Sequence, residues 1–130
     1  MALSVTTLFA LPLILIWIIL WMRVTMIRSE NKISVGDGNS PALLLRIRQH
    51  GNFIEWVPFV LILMILAELQ AAPHSWLYVA GGLLVLGRAA HPFGLKADNA
   101  GHPLRYVGNV SNLLAVVILA IALIRIVTGL

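Results

Sequence analysis

The stretch Arg48-Gln49-His50-Gly51-Asn52-Phe53-Ile54-Glu55-Trp56-Val57-Pro58 sets three strongly polar residues at the head of an apolar run that continues to Ala67. At about 100° per residue, Arg48, Asn52 and Glu55 fall at roughly 0°, 40° and −20°, one narrow face of a helix. In water such a face is ordinary. In a membrane each of those groups needs a partner, because the hydrocarbon offers none, and polar groups kept there mark a function or a buried contact. The fold therefore turns on which solvent surrounds this helix.

Composition answers that. The chain has 130 residues, 60% hydrophobic and only 11% charged. A soluble domain of this size would lack the polar surface to cover such a composition. The apolar residues also gather into blocks of about 18 or more, the length that spans a bilayer. The expected class is an all-α integral membrane protein. There is no cysteine, which excludes disulfides, a protein thiolate nucleophile and any cysteine-based zinc or iron–sulfur site. The four histidines show no zinc-ligand spacing, so no metal is expected, and no nucleic-acid partner either.

Residues 3–22 form the first apolar block, broken by Ser4, Thr6, Thr7 and Pro12. It has no basic segment before it and no small-x-small cleavage site after it, so it reads as an anchored helix rather than a signal peptide. Trp17 and Trp21, followed by Arg23 and Arg28, suit an interfacial belt. Residues 29–40 are rich in glycine and small polar groups and read as a turn region. Pro41 opens a second helix, and Pro58 inside it frees the Ile54 carbonyl and kinks it. A tight Ala71-Ala72-Pro73-His74 connection leads to a third helix, in which Gly81, Gly82 and Gly87 permit close helix approach and Pro92 acts as the stop. The fourth starts near Pro103. The expectation is one domain: a four-transmembrane-helix up-down bundle, with helices at about 3–28, 41–70, 75–91 and 103–129.

In this topology the ends after helices one and three share a side. That side carries Arg23, Arg28, Lys32, Arg46, Arg48, Arg88, Lys96 and Arg105, while the other carries Arg125. The positive-inside tendency makes both loops cytoplasmic and both termini non-cytoplasmic. At the cytoplasmic depth the topology joins Arg48, Asn52 and Glu55 with Arg88 and His91, at i and i+3. Arg105, Asn109 and Asn112 join them with offsets 0, 4 and 7. Such a cavity suits a small, multiply charged ligand: arginine forks bind carboxylates bidentately and keep their charge when desolvated. Lipid-facing gaps between helices would admit a hydrophobic second substrate.

Plainer readings stand beside these. Arg48 and Glu55 can form a structural ion pair. Arg88 and Arg105 can snorkel to the interface, His91 can cap helix three, and Asn109 and Asn112 can hydrogen-bond between helices. Glu68, on the opposite face at the far end of helix two, reads as a solvated terminus.

The pattern Arg48-x-x-x-Asn52-x-x-Glu55-x-x-Pro58, followed by an apolar run ending Ala67-Glu68-Leu69-Gln70, resembles the second-helix signature of the MAPEG proteins (membrane-associated proteins in eicosanoid and glutathione metabolism). Gly87-Arg88-Ala89-Ala90-His91 resembles that family's third-helix end, and Pro103-Leu104-Arg105 its fourth-helix entry. The resemblance covers essentially the whole chain. It implies a homotrimer of four-helix subunits with glutathione held between neighbours at the cytoplasmic side. It further implies that Arg48, Asn52 and Glu55 belong to the glutathione-binding and interface network, joined by Arg88 and His91. Arg105 matches the arginine that stabilises the glutathione thiolate. A fixed cation there makes physical sense, since a free thiol ionises near about 8.5.

There are departures from the family pattern. Gly51 stands where several catalytic members carry a basic residue, and the family's glutathione-contacting tyrosines are replaced near Leu95 and by Asn109. Tyr106, beside Arg105, is a partial substitute. The leading expectation is a glutathione transferase-like enzyme of the bacterial inner membrane, conjugating or reducing a lipophilic electrophile, with Arg105 catalytic and Asn109 and Tyr106 among the binding residues. The alternatives are a non-catalytic member that binds a lipid or glutathione, and a small four-helix transporter. Exporters of the latter kind depend on an acidic residue in the first helix, and residues 3–28 contain none.

Overall fold

The computed structural model describes residues 3–129. These form helix α1 (Ser4–Asn31), α2 (Pro41–Leu69), α3 (His74–Gly94) and α4 (Pro103–Thr128), with no strand among the described residues. The starts of α2 and α4 are each set by a cap followed by proline. Ser40 Oγ accepts from Leu43 N at 3.3 Å ahead of Pro41, and His102 Nδ1 accepts from Leu104 N at 3.2 Å ahead of Pro103. Each cap satisfies one of the amides that a helix start leaves without a partner.

The helices pack along stripes spaced by three and four residues. On α2 the buried stripe is Phe53, Val57, Val60, Met64 and Ala67; on α4 it is Gly108, Asn112, Ala115, Leu119 and Ala122. On α3 it runs Leu77, Ala80, Leu84, Gly87, His91. Alternating three and four is the seam of near-parallel, left-handed helix packing. The opposite faces stay apolar too: Phe59, Leu86 and Leu113 are all exposed. A helix that is apolar all round belongs in a protein interior or a membrane, and these exposed faces leave the membrane.

Helices α2 and α3 form the central pair, each touching both α1 and α4, whereas α1 and α4 do not meet. The closest seam is α3 against α4. A Cβ built at Gly108 would stand 2.7 Å from His91 Cβ, and one at Gly94 would stand 2.1 Å from Arg105 N. Only glycine permits that approach. Across α1 and α3, a Cβ at Gly81 would collide with the Phe9 ring, which packs edge-on against Tyr78 at 6.0 Å.

The four expected helices form. Of these, α1, α2 and α4 are each long and apolar enough to cross a membrane, and α3 packs against all three. Two expectations need correction. First, Pro92 does not end α3. The ring removes one amide, yet the helix continues to Gly94, and Leu95 N donates to His91 O at 2.9 Å. Second, Glu68 is no solvated terminus. It is 7% exposed and accepts from Val5 N and Thr6 N, both at 2.8 Å, and from Ser4 Oγ at 3.5 Å. A carboxylate from α2 thus caps the start of α1, where the helix dipole favours negative charge. In addition α1 extends three residues beyond expectation and includes Glu30. That residue is exposed in the last turn, outside the apolar block, so the exporter reading gains nothing.

Candidate functional site

A cleft of about 330 Å³ opens between the first half of α2, the start of α4 and the α3–α4 connection. Its polar lining is Arg48, Asn52, His91, Lys96, Arg105 and Asn109; its apolar lining is Pro41, Leu44, Leu45, Leu95 and Ala97. The helical spacing explains the polar side. Arg48 and Asn52 are one turn apart on α2, and Arg105 and Asn109 one turn apart on α4, so each pair stacks along its helix toward the same gap. The cleft holds three cations and no carboxylate.

The sequence-derived residues divide into three groups. Arg48, Asn52, His91, Arg105 and Asn109 meet at the cleft. Arg88 lies behind it, 1% exposed rather than snorkelling, and acts as a brace. Its Nη1 donates to Asn52 Oδ1 at 2.6 Å and to Asn52 O at 3.3 Å, and its Nη2 donates to Gly108 O at 3.1 Å. One guanidinium thereby ties α2 to α4 through α3 and fixes the Asn52 amide at the cleft wall. All three acceptors are neutral, so the contacts leave its charge uncompensated. Glu55 and Tyr106 do not line the cleft. Glu55 pairs with Arg48 at 3.8 Å, with both side chains more than half exposed (54% and 60%). Tyr106 is 59% exposed and does not border the gap that Arg105 enters.

Asn112 is buried, but neither end of its amide has a partner among the described residues, so the expected interhelical hydrogen bond is not formed. His91 is no cap: it is buried with its Cβ against Gly108. No cluster of three metal-ligating side chains occurs among the described residues.

Sequence reasoning missed two residues. Gln49 is buried, and its Nε2 donates to Pro92 O at 2.7 Å and to Leu95 O at 3.2 Å, while its Oε1 accepts from Arg46 at 3.1 Å. It holds the end of α3, and with it one wall of the cleft, against α2. Its place on the flank of the Arg48–Asn52 face was the available signal. Lys96 comes from an irregular loop, where periodicity says nothing about direction.

The sequence matches the family model described as MAPEG family over residues 5–125. Among curated proteins it is similar to inner membrane protein YecN of Escherichia coli strain K12, and to the protein of that name from E. coli O6:H1 strain CFT073. Each match is 32% identical over 71 residues, 55% of this chain and 54% of the relative. The chain thus spans about half the length of the curated relatives it matches. No solved structure matches it. The family match extends from the first turn of α1 to the last turn of α4, so it takes in all four helices and every residue that lines the cleft. The chain belongs to the MAPEG family.

Proposed function

We propose that this protein is a membrane-embedded glutathione transferase, and the observation that carries the reading is the cleft with three cations and no carboxylate. Glutathione brings two carboxylates, an ammonium, two peptide groups and a thiol. Arg48 and Lys96 suit the carboxylates, Asn52 and Asn109 suit the peptide groups, and Glu55, paired with Arg48 at the rim, suits the ammonium. A volume of about 330 Å³ lies within the range usual for small-ligand sites, roughly 300–1,000 Å³.

Arg105 is the catalytic residue in this reading. Its guanidinium favours the thiolate over the thiol, and the thiol proton leaves to solvent through the cleft mouth. The thiolate sulfur then forms a bond to an electrophilic carbon, whose leaving group departs with the bonding pair. The apolar wall of Leu44, Leu45 and Leu95 favours a lipophilic acceptor arriving from the bilayer. The positive-inside tendency puts the cleft at the cytoplasmic side and both termini on the other. The protein would assemble as a homotrimer: Arg48 and Glu55 are exposed on a membrane helix, and a charge facing lipid there is costly. A neighbouring copy on that face of α2 removes the cost.

A second reading is glutathione or lipid binding without turnover. It is favoured by the absence of any hydroxyl-bearing side chain from the cleft lining, since a hydroxyl would support the thiolate by hydrogen bonding. Difference absorbance of the thiolate in detergent, with glutathione binding measured in parallel, separates the two. The expected result is a thiolate band in the wild type that Arg105→Ala abolishes while binding falls only modestly. Bound glutathione with no thiolate band in the wild type sinks the catalytic reading.

A further inference from the structure

Arg88 presents an electrostatic problem that the cleft between α2 and α4 does not solve. It is 1% exposed, and its three acceptors, two on Asn52 and one on Gly108, are all neutral. Its Nε has no hydrogen-bond partner among the described residues. A buried guanidinium without a counter-charge or a complete set of acceptors is expensive, so the position implies an anion that reaches it. Arg88 does not line the first cleft. It lines a separate one, about 170 Å³, on the other side of α3 against α1.

That second cleft contains another cation. Arg23, half-buried on α1, lines the same cleft, and among the described residues no hydrogen bond or ion pair to its side chain is formed. The remaining walls are apolar, with Ile16, Ile19 and Leu20 on one side and Pro92 and Phe93 on the other, and no carboxylate lines the space. Ile19 and Phe93 are exposed at its mouth, so the cleft opens sideways onto the face that a bilayer would wet. At about 30 Å³ per water-sized group, it has room for roughly five or six such groups. That suits a phosphate and part of a glycerol, with longer chains left outside along the helices.

We propose that the α1–α3 cleft is a binding site for an anionic phospholipid, with the headgroup phosphate between Arg23 and Arg88 and the acyl chains along Ile19 and Phe93. Three features coincide there: the deeply buried cation Arg88 in the wall, a second cation, Arg23, on the α1 side, and an apolar mouth at the helix ends. These ends carry most of the chain's positive charge, the arrangement that selects an anionic leaflet. The phosphate supplies what Arg88 lacks, a charged acceptor. Because Arg88 also holds Asn52, an occupied lipid site would stiffen the wall of the first cleft from behind.

The test is native mass spectrometry of the full chain in a neutral detergent, titrated with phosphatidylglycerol, phosphatidylcholine or inorganic phosphate. The expected result is retention of phosphatidylglycerol over phosphatidylcholine, no displacement by millimolar inorganic phosphate, and about five- to tenfold weaker retention in Arg23→Ala. Arg23→Lys should restore most of it. Ala89→Phe, which keeps both cations and fills the cleft, should abolish it. Circular dichroism confirms that each variant folds. Equal retention of the two lipids, or wild-type retention by both Arg23→Ala and Ala89→Phe, overturns the proposal. Displacement by inorganic phosphate overturns the lipid assignment in favour of a free anion.

Discussion

Removing the carboxylate of Glu68 should loosen the first turn of α1, although Glu68 lies on α2. The carboxylate accepts from the amides of Val5 and Thr6, both at 2.8 Å, and the Ser4 hydroxyl lies at 3.5 Å. Val5 and Thr6 are themselves buried, so in Glu68→Ala neither amide gains easy access to water. Two orphaned donors cost about 1–2 kcal/mol each. Losing the negative charge at a helix start costs about 0.5–1 kcal/mol more. The expected destabilisation is about 2.5–5 kcal/mol. Glu68→Gln keeps one acceptor oxygen but loses the charge and turns an NH₂ toward a donor, so about 1–2 kcal/mol is expected. The measurement is reversible unfolding in mixed micelles with SDS, followed by circular dichroism, combined with hydrogen exchange at the Val5 and Thr6 amides. Exchange should accelerate at those two amides and leave the centre of α1 unchanged. Gln70→Ala is the control, since that exposed side chain donates only to Leu66 O. If both Glu68 variants stay within about 0.5 kcal/mol of wild type and amide exchange is unaltered, the cap does not hold α1 and the reasoning fails.

Two further outcomes bear on the cleft. Gly94→Ala would put a Cβ 2.1 Å from Arg105 N and 2.5 Å from the Leu104 carbonyl carbon, so backbone must move. A loss of about 2 kcal/mol or more is expected, with weaker glutathione binding because Arg105 shifts. Gly82→Ala, which meets nothing within 4 Å, should be neutral or up to about 1 kcal/mol more stable. Unfolding titrations of the two variants side by side check the contrast. Tyr106→Phe should leave glutathione affinity and the thiolate band unchanged, because the ring is exposed and does not line the cleft. A fall of tenfold or more in affinity would restore Tyr106 to the site.

The helices were legible because their seams are periodic. Phe53, Val57, Val60, Met64 and Ala67 repeat at three and four residues, and a membrane setting follows from the apolar faces opposite. What escaped reading depended on partners far away in the chain. Glu68 ends an apolar helix, and nothing near it in sequence signals that its acceptors meet the α1 start, 62 and 63 residues away. The helical stop at Pro92 failed for a related reason. Proline removes a donor, but the Pro92 and Leu95 carbonyls are held from outside by Gln49, so tertiary contacts carry the helix past it. Helical spacing correctly brought Arg48, Asn52, Arg105 and Asn109 to one gap. It was silent on depth, which is why Arg88 reads as one more cation at a helix end and proves to be the most buried charged side chain among the described residues.

The face from Arg48 to Glu55 is narrow in angle, yet its three residues meet three environments. Asn52 turns inward, where Arg88 fixes its amide. Arg48 borders the cleft. Glu55 stands outside it, tied to Arg48 at 3.8 Å and otherwise open. A helix between two neighbours produces this division, because a shift of about 20–40° moves a side chain from a packed seam to an open surface. The energetic consequence falls on Glu55. In water an exposed ion pair of this length is worth little either way, but on a membrane helix the alternative to protein is lipid. Arg48 is drawn toward two places at once, an anionic ligand in the cleft and the carboxylate outside it. The proposed binding of glutathione and the proposed covering of this face of α2 in a trimer would therefore draw on the same arginine. Neutralising Glu55 frees Arg48 for a ligand carboxylate but removes the acceptor proposed for the ligand ammonium, while it weakens the contact between copies, so Glu55→Gln should loosen assembly more than it changes affinity.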